Sequence, residues 1–271
     1  TVPGVLLLAA FLFISSVFNP TLGRAPANSL AEIGRHPFGI ANLRSETGLA
    51  PAHTRIGWYR AVYAIFYGFA YGSFADELAH KAGIDTVTFL NQLYDRNTDP
   101  GQQEQVQRSK GVLNLAAQKA GFGRELPPNE GIGIAVHHSF RSYVAMAVHV
   151  RVIDDNIEVL NVECAVDCGQ VLNLDSATAQ QEGAVVMGMS FTLYTEIAFK
   201  DGAVVNSNFH DYPVLRINEM PNVNVHFVEN DYPPTGLGEP GVAPFPAALT
   251  NAIFAASGKR YRDLPIKPMS A

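Results

Sequence analysis

The chain reads as an α+β protein, with helices first and a mixed, strand-rich region after. Three observations predict this. Across residues 58–123 the apolar residues recur at helical spacing. After the Pro127-Pro128 pair the period shortens from 3.6 toward 2. Beyond that point hairpin-like pairs and further helical runs follow one another, with no internal repeat and no low-complexity tract.

Residues 19–57 carry Pro20, Gly23, Pro26, Pro37, Gly39, Gly48 and Pro51, which predicts loop. A first helix is predicted over 59–82, with Phe66, Phe69, Ala70, Phe74, Leu78 and Ala82 on its inner side, Asp76 and Glu77 between them, and Gly83 stopping it. Asp85 begins a second, short helix whose apolar residues are Val87, Phe89, Leu90 and Leu93. A third runs from Gln103 to Gly121, burying Val106, Val112, Leu115, Ala116 and Ala120 and capped by Gly121. Residues 131–138 and 143–154 alternate small or apolar residues with polar ones, and Asp154-Asp155-Asn156 turns the chain into a strand over 157–166. Residues 175–191 return to helix, with Asp175 or Ser176 as N-cap. Phe199–Val205 is a hairpin turning at Asp201-Gly202, Val223–Glu229 a strand, and Ala247–Ser257 a small-residue helix closed by Gly258.

Composition narrows the function. Of 271 residues, 47% are hydrophobic and 16% charged, which is a globular balance. A net charge of −6 and no Lys/Arg run longer than two exclude a nucleic-acid partner, because phosphate binding needs clustered cations. Cys164 and Cys168 would lie about 13 Å apart in an extended strand, too far for a disulfide, and read as small apolar core residues. Two thiols cannot hold an iron–sulfur cluster, so any such centre belongs to another chain. The 14-residue apolar run Val5–Phe18 is short for a membrane span and closer to a signal-peptide core. No basic residue precedes it, so periplasmic, membrane-associated and cytoplasmic placements all stay open. His137, His138 and His149 lack the helical spacing of a metal pair and read as strand or surface histidines.

Chemistry concentrates at Thr235-Gly236-Leu237-Gly238-Glu239-Pro240-Gly241, a glycine-rich turn between a strand and a helix. Gly236 and Gly238 there are expected to permit unusual backbone conformations and close approach of a ligand, and a carboxylate on so rigid a turn suits a general base. With Ala243-Pro244 and the helix after it, this block resembles the catalytic end of the large subunit of the xanthine dehydrogenase/aldehyde oxidase family. The likeness is greatest to isoquinoline 1-oxidoreductase and related bacterial aldehyde dehydrogenases. Three further blocks agree in order. They are Val166–Asn173 running into Gln180-Gln181-Glu182-Gly183-Ala184, then Asn208–Tyr212 to Arg216–Glu219, and Trp58–Val62 with Ser73–Ala79.

The resemblance implies the C-terminal molybdopterin-binding domain of such a subunit, an oxidoreductase that hydroxylates an aldehyde or N-heteroaromatic carbon with oxygen from water. Residues 37–271 would form that domain, divided into a helical part, 58–123, and a mixed part, 131–265; residues 1–36 match nothing in the family. Glu239 would be the catalytic base and Gln180 a pterin contact, with Gly236 and Gly238 beside the metal. Ser142, Val144 and Ala145 would bind cofactor in a run similar to the family's Ser-Phe-Gly-Ser-x-Val-Ala, here with Arg141 in place of the glycine, and His137 and His138 would mark the loop approaching it. Arg60 would lie near the substrate funnel. No protein side chain would ligate the molybdenum. The cofactor would be molybdopterin, in its cytosine dinucleotide form. Expected partners are a small subunit carrying 2Fe-2S clusters, a small-molecule substrate, and a cytochrome c subunit or the remaining N-terminal half of the large subunit. No Gln-Gly-Gln-Gly stretch is found. The chain is therefore expected to be a C-terminal portion, a split piece or a decayed copy that binds cofactor poorly alone. The alternative is a non-catalytic assembly piece of such a complex.

Overall fold

The structure, a computed structural model, describes residues 36–46 and 57–266. The apolar run at 5–18 and most of the loop-like segment after it lie outside the described residues.

Among the described residues three helices come first: α1 (Ala64–Ala82), α2 (Thr86–Asp95) and α3 (Gln103–Ala120). Strands β1 (Glu130–Ser139), β2 (Ser142–Ile153) and β3 (Asn156–Asp167) follow, then α4 (Leu174–Leu193). A two-residue hairpin, β4 (Phe199–Lys200) and β5 (Ala203–Val204), precedes β6 (Asn222–Phe227) and α5 (Phe245–Ser257). The main sheet has the order β1-β2-β3-β6, antiparallel except for the parallel β3–β6 pair, whose connection runs through α4.

Both faces of this sheet are covered, so its strands read as nearly continuous apolar runs. Val144, Met146, Val148, Val162, Cys164 and Val166 face α4 and α5, while Ile132, Ile134, Val136, Ala145, Ala147 and Ala165 face α2 and α3. Helix α5 lies almost on the backbone of β1. A Cβ at Gly133 would stand 2.1 Å from Ala252 N and 2.4 Å from Ala248 O, which is why the strand is glycine-rich and the helix alanine-rich. Buried Asn251 ties the contact by donating to Gly72 O and Ile134 O.

The helix stops sit where glycine predicts them: Gly83, Gly121 and Gly258 are C-caps with φ of 67°, 61° and 74°. The β2–β3 turn places Asp154 and Asp155 at φ 49° and 63°, a left-handed pair suited to a two-residue hairpin. Both cysteines are free and buried in the α4/α5 core, although Cys168 lies just past the end of β3.

Three details differ from expectation. Helix α1 starts at Ala64 rather than Tyr59 and buries Ala64, Ile65, Gly68, Gly72, Ala75 and Ala79, leaving Phe66 exposed. Its small residues are needed against α5 and the turn before it, where a Cβ on Gly68 would stand 2.2 Å from Ala243 O. In α3, Leu113 is fully buried and Leu115 only half. The N-cap of α4 is Asn173, whose Oδ1 accepts from Ser176 N at 2.8 Å, in place of Asp175 or Ser176. No helix among the described residues is long and apolar enough to cross a membrane.

Candidate active site

The turn from Thr235 to Gly241 is held from several sides. Thr235 N donates to Cys168 O at 2.9 Å, and Gly236 N donates to Phe140 O in the β1–β2 turn at 3.2 Å. Ser142 Oγ donates to Gly236 O at 2.6 Å, Gln181 Nε2 to Leu237 O at 3.2 Å, and Arg60 Nε to Gly238 O at 2.7 Å. Three successive carbonyls are thus fixed by β2, by α4 and by the entry to α1. Glu239 follows as the N-cap of a short 3-10 helix, Pro240–Val242. Its Oε2 accepts from Ala61 N at 2.8 Å, and among the described residues its Oε1 takes no hydrogen bond.

The glycines act differently from expectation. Neither Gly236 nor Gly238 has a positive φ, so unusual backbone conformation is not their reason. A Cβ on Gly236 would press on Phe140 at 3.1 Å, whereas one on Gly238 would meet only Gln180 Oε1 at 3.7 Å. Gly241 is the position that tolerates no side chain, because a Cβ would fall 2.3 Å from Gln181 Oε1 and 2.9 Å from Ala184 Cβ.

Gln180 and Gln181, about 100° apart around α4, divide the work. Gln180 is exposed beside Gly238 and accepts from Arg60 Nη2 at both its carbonyl oxygen (3.1 Å) and Oε1 (3.2 Å), while Gln181 is fully buried beneath the turn. Sequence reasoning singled out the first and missed the second, whose neighbours Leu237 and Gly241 are remote in the chain. Burial lowers the Arg60 pKa below the usual arginine value, and Glu239 opposes that shift.

Gln180, Gly236, Gly238, Glu239 and Arg60 therefore come together. Arg60 holds Gly238 and Gln180 through its Nε and Nη2 donors. Ser142, Val144 and Ala145 are fully buried. Ser142 spends its hydroxyl on the turn, while Val144 and Ala145 point into the two opposite cores of the sheet. His137 and His138 lie in β1 rather than in a loop. Burial, with a contribution from His138, lowers His137 to about 3; burial and Arg108 lower His138 to about 4, so both are neutral. Arg141 and Phe140 form the β1–β2 turn with φ of 65° and 52°. Among the described residues no group of three or more His, Cys, Asp or Glu could hold a metal ion.

A clamp that the sequence did not reveal leads into the turn. Arg108 of α3 makes a two-pronged contact with Asp167 at the end of β3, Nε–Oδ2 2.8 Å and Nη2–Oδ1 2.7 Å. Its guanidinium lies between the rings of Tyr143 and Tyr232, 4.5 and 4.4 Å from their centroids. Asn230 Nδ2 and Gly169 N also donate to Asp167 Oδ1, at 2.9 and 3.2 Å. The segment just before Glu239 is thus pinned to the sheet.

Residues 79–221 match a family model described as the molybdopterin cofactor-binding domain. The chain is 32% identical over 208 residues to the isoquinoline 1-oxidoreductase subunit beta of Brevundimonas diminuta, covering 75% of this chain and 26% of that protein. It is 31% identical over 244 residues to a membrane-bound aldehyde dehydrogenase of Gluconacetobacter polyoxogenes, covering 85% of this chain and 31% of that one. It thus spans roughly a quarter to a third of these relatives. The fold superposes on the crystal structure of the aldehyde oxidoreductase from Desulfovibrio desulfuricans with a TM-score of 0.68, at 15% identity, over 98% of this chain and 44% of that one. Arg60 and Glu239 lie outside the matched stretch, which covers more than half of the sequence. The chain belongs to the molybdopterin cofactor-binding domain family.

Proposed function

We propose that this chain supplies one wall of a molybdenum hydroxylase site and the base that works there. The observation that carries the reading is the Glu239 carboxylate. It is half-buried, with one oxygen anchored by Ala61 N–H and the other taking no hydrogen bond among the described residues, and it stands beside exposed Gly236, Gly238 and Gln180. A carboxylate so held can take up a proton at Oε1 without reorienting.

The residues fit a bulky cofactor on one side. No side chain projects from Gly236 or Gly238, so the backbone can be approached closely there, and the exposed Gln180, its Oε1 engaged by Arg60, keeps its Nε2 as a donor. Bound molybdenum cofactor, in this reading its cytosine dinucleotide form, supplies the redox chemistry that oxidises an aldehyde or N-heteroaromatic carbon with water-derived oxygen. The chain's own contributions are binding, through Gln180 and the glycine backbone, and proton removal at Glu239. Electrons leave to a partner subunit with 2Fe-2S clusters. A cytochrome c subunit or the N-terminal part of the large subunit completes the assembly.

The test is turnover of the assembled complex in ¹⁸O-labelled water with one aldehyde and one N-heteroaromatic substrate. Label in the product supports the hydroxylase reading. A fully assembled, metal-loaded complex that oxidises neither substrate would leave the chain an assembly piece.

A further inference from the structure

We infer that the left-handed turn Ala61-Val62 is a positioning device for the Glu239 carboxylate, acting through the backbone N–H of Ala61. The inference rests on the reading of Glu239 as the base. Ala61 and Val62 have φ of 73° and 48°. A left-handed conformation is uncommon for alanine and more so for a β-branched residue, and it persists where the surroundings impose it. Here they do. Ala61 is fully buried against Val242 and Ala243, the residues just after Glu239. Val62 N donates to Tyr59 O at 2.8 Å and Ala64 N to Ala61 O at 2.8 Å, closing the turn on both sides.

The consequence is two-point attachment. Arg60 Nε grips Gly238 O at 2.7 Å while the next residue aims its N–H at Glu239 Oε2 at 2.8 Å. Consecutive residues therefore fix both the backbone before the carboxylate and the carboxylate itself. The donor comes from the main chain, so no side-chain rotation can misplace it. With Oε2 engaged, Oε1 is the oxygen presented for proton transfer. The left-handed pair also delays the start of α1 until Ala64, which leaves the Ala61 N–H outside the helical ladder and available to Glu239.

The test is amide exchange and chemical shift in the ¹⁵N-labelled full chain. The Ala61 amide is expected to be protected and shifted downfield. In Glu239→Ala, which removes the acceptor, its resonance should move and its exchange quicken by about tenfold or more, while amides in β2 and β3 stay as they were. Ala61→Gly accepts the left-handed φ and keeps the donor, so residue 61 should retain the signature. Replacing Ala61 with lactic acid, which puts an ester in place of the amide, removes the donor and leaves the left-handed φ accessible. In the assembled enzyme it should lower kcat with KM little changed, whereas Ala61→Gly, which keeps the donor, should leave kcat near wild type. An Ala61 amide that exchanges freely, or that ignores Glu239→Ala, overturns the inference. A chain in which that amide responds while Glu239→Gln turns over normally would instead overturn the role of Glu239 as base.

Discussion

Replacing Arg108 with alanine probes the clamp that fixes the approach to the Glu239 turn. The Arg108 and Asp167 side chains are only 9% and 4% exposed, so the substitution strands a carboxylate rather than freeing a surface ion. Removing one partner of a buried pair costs about 3–5 kcal/mol, and the two aromatic stacks are part of what is lost, so a net loss of about 4 kcal/mol is expected. At roughly 2–4 °C per kcal/mol for a chain of this size, Tm should fall by about 8–16 °C at pH 7.

The loss should also depend on pH. In the wild type, burial raises the Asp167 pKa, but Arg108, Asn230 and the Gly169 N–H together outweigh it and hold the carboxyl below the usual aspartate value. A depressed folded pKa contributes stability above the unfolded value of about 3.9, and that stability is lost as pH falls through the folded value. In Arg108→Ala the burial effect loses its main opponent, so protonation relieves the variant on acidification. Thermal unfolding at pH 7 and near pH 4 should show the gap between the two proteins narrowing. A Tm within about 2 °C of wild type at pH 7, or a gap that does not change with pH, would refute the clamp argument.

Two further predictions concern the frame around the site. Gly133→Ala places a methyl against the backbone of α5 at Ala252 and Ala248, and should cost about 3 kcal/mol or more; an unchanged urea midpoint would contradict the packing described. Arg141→Gly relieves a left-handed φ of 65° at an exposed hairpin position and should stabilise by about 1 kcal/mol, raising Tm by roughly 2–4 °C. A lower Tm there would mean that the arginine side chain carries contacts of its own.

The sequence made the elements legible where a local rule governs them. Gly83, Gly121 and Gly258 end helices because the chain needs a left-handed residue at each stop. The shortened period after Pro127-Pro128 located β1 and β2, the Asp154-Asp155 turn located β3, and Asp201-Gly202 the small hairpin. What stayed hidden was set by partners far away in the chain. The inner face of α1 follows its close approach to α5 and Ala243, so small residues displaced the phenylalanines that periodicity favoured. Parallel pairing of β6 with β3 leaves no mark in either segment alone. At the site, resemblance pointed to Glu239 and Gln180, which the fold brings together against Arg60 and Ala61. The Ala61 donor, the buried Gln181 and the Arg108 clamp bridge 178, 56 and 59 positions of sequence, and no local pattern reports them. Ser142, Val144 and Ala145 show the converse: motif likeness placed them at a ligand, while strand alternation and burial put their side chains under the turn and in the core.

The central claim is that Glu239 is the base of this site, and its most direct measurement is steady-state turnover of Glu239→Gln in the assembled, metal-loaded complex. Glutamine keeps the shape and can still accept from Ala61 N–H, so folding and cofactor content should match wild type while kcat drops by about 10²–10⁴-fold. Turnover within a few-fold of wild type, at equal molybdenum content, would contradict the account.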